Sequence, residues 1–149
     1  MGVDKAAKKG KGGKLYGHFV GIPRKVLMSH AYRGLSHTAR SLLWDIAIQY
    51  VGHNNGGLLA SVTYLAKLGW TSRDVVQRAK KELVDSGLLF LTAQGHKPRK
   101  ASQYACTWLP LDKCEGFDPG VEKAYRLNEF LLIGPPPDVR PTVIKQTPV

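Results

Sequence analysis

Acidic residues are scarce in this chain. Only 11 Asp and Glu stand against 22 Lys and Arg, a formal charge of +11 on 149 residues. That balance favours a polyanionic partner, because counterions released from a phosphate backbone drive association; an excess that merely aids solubility is the alternative. Cysteine is scarcer still, with 2 in all. Cys106 and Cys114 lack CxxC spacing, which argues against a disulfide scaffold or a zinc site and for reduced thiols in a cytoplasm. No apolar run reaches the length of a membrane span, and the N-terminal charges run into glycines rather than the apolar core of a secretory signal. The histidines His18, His30, His37, His53 and His96 are scattered, so no metal centre is expected.

Catalytic signatures are missing as well. Residues 10–13 supply glycines to a lysine-rich tail, not a phosphate-cradling loop. Asp45 and Asp112 stand isolated in the sequence, and no nucleophile motif is present. The expectation is a binding protein without enzymatic activity and without a cofactor.

What the chain does have is enough apolar content, 43%, to bury one core. The stretch "MGVDKAAKKGKGGK" predicts a flexible basic arm over residues 1–16. Residues 19–22 read as extended, and Pro23 suits the first turn of a helix running to about Tyr32, with Val26, Leu27, His30 and Ala31 on one face. Ser36 caps a longer helix whose Ala39, Leu42, Leu43, Ile46, Ala47 and Tyr50 form an apolar stripe, broadened by Trp44 and Ile48. "GHNNGG" is a turn and "GLLA" a short extended piece. Ser61 caps a compact helix to Leu68, with Val62, Leu65, Ala66 and Leu68 inward, and Gly69 stops it. Ser72 caps the next helix, which Gly87 ends; Val76, Ala79 and Leu83 cluster on its inner side. "LLFLTA" and "SQYACTWL" read as strands around the basic loop "QGHKPRKA", a β-hairpin. Residues 17–110 therefore read as one domain. Residues 111–149 read as a largely irregular extension: one weak helix over 121–132 with Ala124, Tyr125 and Leu131 inward, then a proline-rich tail.

The segment "LAKLGWTSRDVVQRAKKELVDSGLL" resembles the helix-turn-helix of bacterial winged-helix regulators and of plasmid and phage replication-initiator domains, and the likeness extends over residues 35–109. In those families a small Ala in the first helix packs on an apolar residue in the second, and Ala66 and Val76 have that spacing. Leu83 and Gly87-Leu88-Leu89 match the run into the wing. Gly69 comes one residue earlier than usual and Trp70 fills the next place. The resemblance implies an α+β fold: a winged helix-turn-helix with an extra N-terminal helix.

It also implies double-stranded DNA as the partner. Arg73 and Gln77 lie one turn apart at the start of the second helix, where arginine can pair with guanine and glutamine with adenine. Arg78 and Lys81 suit backbone phosphates, and Thr71 or Ser72 adds a hydroxyl. Asp74 and Glu82 could each pair with Arg78, as on any exposed helix. His96, Lys97, Arg99 and Lys100 make the hairpin tip basic. The expected role is a small transcriptional regulator, with a replication or partition accessory or a protein-binding adapter as alternatives. Paired half-sites make a homodimer an option, its interface on the Ser36 helix or on residues 121–132.

Overall fold

In the computed structural model, which describes residues 18–96 and 100–134, the chain is α+β. Helices α1 (Arg24–Leu27), α2 (His30–Arg33) and α3 (His37–Ala47) come first, then strand β1 (Leu58–Leu59), α4 (Val62–Ala66), α5 (Arg73–Asp85), β2 (Leu89–Ala93), β3 (Gln103–Cys106), α6 (Val121–Ala124) and a 3-10 turn over Glu129–Leu132. The expected basic arm lies outside the described residues, as does the tail beyond Gly134.

Serine begins four of these helices. The hydroxyls of Ser29, Ser36, Ser61 and Ser72 accept from the amides of Tyr32, Ala39, Tyr64 and Val75, three residues on, at 3.1–3.2 Å. Each bond satisfies an amide that the first helical turn leaves without a partner. Ser29 also explains why the helix expected over residues 23–32 is two. Its hydroxyl donates to the Val26 carbonyl at 2.6 Å while capping α2, a local alternative to continuous helix. Residues 19–22 form no strand, although Val20 and Ile22 pack on the core.

The stripe on α3 is buried as its periodicity predicts: Ala39, Leu42, Leu43, Ile46 and Ala47 all face inward. The helix ends at Ala47, so Tyr50 lies beyond it half-buried, and Ile48 is exposed. α3 packs on the Val76, Ala79 and Leu83 face of α5. Glu82 of α5 locks the crossing by accepting from the Ser36 amide at 2.9 Å and its hydroxyl at 2.8 Å. Glu82 therefore serves the start of α3, and the pairing with Arg78 expected for it is not made.

The sheet is antiparallel in the order β1-β3-β2, with Leu58 opposite Tyr104 and Leu89 opposite Cys106. Register slips between Leu91 and Ala93, leaving Thr92 as the extra residue of a bulge. Its buried hydroxyl donates to the Gly56 carbonyl at 2.6 Å, tying the bulge to the loop before β1. That loop holds Asn55, whose side chain is fully buried and bonds to the exit of β3.

Residues 110–133 return across this sheet. Asp118 donates its amide to the Thr92 carbonyl and accepts from the Gln94 amide. The Phe90 and Tyr125 rings meet edge to face at 5.3 Å. Burial raises the Tyr125 hydroxyl pKa, which keeps it a donor, and it reaches the Cys106 and Leu109 carbonyls. The single helix expected over residues 121–132 is replaced by α6 and the 3-10 turn, separated where Asn128 adopts a left-handed φ of 62°. Ala124 and Leu131 are exposed, contrary to expectation, while Val121 and Phe130 are buried. Phe130 seals the core behind Gly87, whose φ is +79° and whose missing Cβ would stand 3.1 Å from the Phe130 Cα. Glycine thus serves there both the helix end and the close approach.

The two thiols should differ in reactivity. Burial pushes the Cys106 pKa up to about 12, whereas Cys114 is half-buried and raised less, by burial and then by Asp112. At pH 8 the Cys106 thiolate is then about one part in ten thousand, and it is enclosed as well. Iodoacetamide labelling of the native protein, read by peptide mass spectrometry, should modify Cys114 well before Cys106. Equal rates would mean that β3 opens readily.

Candidate nucleic-acid interface

The corner between α4 and α5 sets the candidate site. At its end α4 closes with two bonds, from the Gly69 amide to the Ala66 carbonyl and from the Trp70 amide to the Leu65 carbonyl, each 3.1 Å. Gly69 has a φ of +100°, a conformation that glycine adopts without strain. The Trp70 indole N–H donates to Asp45 of α3 at 2.7 Å. Asp45, isolated in sequence, is therefore a structural anchor. The early glycine has a further consequence: Leu65 is fully buried, while Ala66 and Leu68 are exposed. Ala66, expected from the resemblance to pack inward on Val76, is exposed; Leu65 and Trp70 pack on the core at this corner.

Beyond the corner, Ser72 caps α5, and Thr71, Ser72, Arg73, Asp74, Gln77, Arg78 and Lys81 are all exposed. At 3.6 residues per turn, Arg73, Gln77 and Lys80 share one flank, while Asp74, Arg78, Lys81 and Asp85 lie further round. Lys81 pairs with Asp85 at 3.0 Å, the one ion pair among the described residues, and Arg78 pairs with neither Asp74 nor Glu82. Both members of the Lys81 pair are well exposed, so it is worth little in water. Asp74, in the first turn, disfavours an anion approaching over its own side. The Arg73–Gln77–Lys80 flank is the more open to phosphate.

The hairpin stands beside that flank. Gln77 and Lys80 of α5, Ser61 and Val62 at the start of α4, and Gly95, His96, Lys100 and Ser102 of the hairpin line one cleft. The neck of the hairpin is tight: the His96 and Lys100 amides each donate to the other's carbonyl at 2.9 Å, and Ser102 accepts from the Gly95 amide at 2.8 Å. A Cβ on Gly95 would fall 2.5 Å from the Lys100 carbonyl oxygen, so glycine is needed there. His96 is exposed and Lys100 half-buried. The Lys100 amine lies toward Gly116, so the residue does not aim its charge at the helix as its sequence position suggests. Lys97 and Arg99 lie outside the described residues.

Lys80 was not among the expected site residues. It is half-buried, its amine 5.9 Å from the Tyr104 ring centroid, and burial lowers its pKa from the usual lysine value. Its place three residues after Gln77 was a readable signal; the stacking on a strand residue was not. Among the described residues no group of His, Cys, Asp and Glu could hold a metal ion, and no helix is long and apolar enough to cross a membrane. Compared with known proteins, the chain matches no family model, no curated protein and no solved structure.

Proposed function

We propose that this chain is a winged helix-turn-helix protein that binds duplex DNA, with α4 and α5 as the helix pair, α5 as the reading helix and the β2–β3 hairpin as the wing. The observation that carries this reading is the shared cleft: the exposed Gln77 and half-buried Lys80 of α5 and the hairpin neck line the same space. The +11 charge supports it, as does the rigid seating of α5 between the Trp70–Asp45 bond and Gly87. Arg73 and Gln77 present groups that discriminate base edges, and Arg78 suits a phosphate. A small transcriptional regulator is the role that fits best. It acts by binding, without catalysis of its own.

Fluorescence anisotropy with a duplex selected from a random pool tests this. Affinity should fall steeply as salt rises. Arg73→Ala and Gln77→Ala should each cost about 1–3 kcal/mol on the preferred duplex and relax base preference at one position. Salt-insensitive binding, or a pool that yields no preferred sequence, would count against it. The adapter reading has one observation of its own, an apolar groove walled by Phe19, Ile48, Tyr50 and Val51. It would gain if DNA binding proved weak and indifferent to sequence.

A further inference from the structure

We infer that the cleft between α5 and the hairpin is a seat for a single phosphate group, held by Lys80 with His96 and Ser61, and that in the DNA complex it takes one phosphodiester of the backbone. The inference rests on the DNA-binding reading and adds to it a specific anchoring residue and the chemistry that this residue recognises.

Three features support the assignment. The cleft is concave, about 290 Å³, and among the described residues no carboxylate lines it. The Lys80 ammonium stands partly out of water beside the Tyr104 ring, and no carboxylate among the described residues pairs with it. A half-desolvated cation without a counter-charge is unfavourable, and an arriving anion relieves that cost as it binds. Two further lining groups can donate to phosphate oxygens: the His96 ring, and the Ser61 hydroxyl hydrogen while its oxygen caps α4. Lysine acts here as a point charge and reads no base. The seat would thus fix the depth and orientation of α5 while Arg73 and Gln77 face the groove.

The test uses the full chain, two duplexes of unrelated sequence, and inorganic pyrophosphate as a small probe. Lys80→Met keeps the stem on Tyr104 and removes the charge; Lys80→Arg restores it. Losing one phosphate contact should lower the slope of log K against log salt by about 0.9, roughly an eightfold loss at 0.1 M salt, equally on both duplexes. Arginine should recover most of it. Pyrophosphate should shift the His96 ring resonances of the wild type and leave those of Lys80→Met in place. If the wild type binds duplex and the Lys80→Met slope is unchanged, the seat is wrong and the DNA reading stands. If duplex is not bound but pyrophosphate still shifts His96 in a Lys80-dependent way, the seat stands as a site for a small phosphorylated ligand and the DNA reading falls. If neither probe binds, both are overturned.

Discussion

Phe130→Ala should lower the free energy of unfolding by about 3–5 kcal/mol, the range for deleting a fully enclosed aromatic ring. Small domains hold only about 5–15 kcal/mol in total, so this one change should bring the fold close to its limit. Phe130 sits in a run of four apolar residues, Phe130-Leu131-Leu132-Ile133, yet only Phe130 is buried. The 3-10 turn directs its ring into the core behind Gly87 and packs against α2. Leu132, 74% exposed, is the internal control; Leu132→Ala should stay within about 0.5 kcal/mol. Urea denaturation of the two variants decides the matter. Equal midpoints would show that the segment after α6 contributes nothing to the core.

Asn55→Ala should cost about 3 kcal/mol or more. The Asn55 amide nitrogen lies 3.0–3.2 Å from the Cys106, Leu109 and Pro110 carbonyls, and its oxygen accepts from the Cys106 amide at 2.8 Å. Truncation leaves the Cys106 amide and the Pro110 carbonyl without a partner, at about 1–3 kcal/mol each, while the Tyr125 hydroxyl still serves the Cys106 and Leu109 carbonyls. Asn55→Asp should be worse at neutral pH, because a carboxylate would face three carbonyl oxygens in place of a donor. Its neighbour Asn54, half-buried and bonded only within its own turn, gives the contrast: Asn54→Ala should cost about 1 kcal/mol. Thermal melts that place Asn55→Ala beside Asn54→Ala would refute the assignment of Asn55 as a bolt between the β1 loop and β3.

These two residues also mark where sequence reading stopped. Signals that act within a few positions were legible. Ser36, Ser61 and Ser72 start helices as their side chains predict, the α3 stripe is buried, and the strands on either side of the basic loop pair as a hairpin. Bonds between residues far apart in sequence were not. Asn55 meets Cys106 across 51 positions, Glu82 meets Ser36 across 46, and Trp70 meets Asp45 across 25. Local periodicity carries no information about such partners, so Asn55 read as a turn residue, Glu82 as a helix-face acid and Asp45 as isolated. Ala66 failed for a subtler reason: shifting the turn glycine by one residue rotates the inward position to Leu65. At the site, the exposed flank of Arg73 and Gln77 was readable from the wheel. The direction of the Lys100 amine, toward Gly116 after β3, and the stacking of Lys80 on Tyr104 of β3 depend on neighbours that a helical wheel does not contain.

The sheet has one more property. Gln49, just past α3, lays its carboxamide along the free side of β1: its nitrogen donates to the Leu59 carbonyl at 2.7 Å and its oxygen accepts from the Leu59 amide at 2.8 Å. One side chain thereby imitates a missing strand. On the far margin, Asp118 occupies the Thr92 carbonyl with its backbone amide and the Gln94 amide with its carboxylate. Part of each rim is thereby already engaged, which hinders β-augmentation, the route by which small sheets fuse into aggregates. A second copy that extended the ladder would first have to displace the Gln49 and Asp118 bonds.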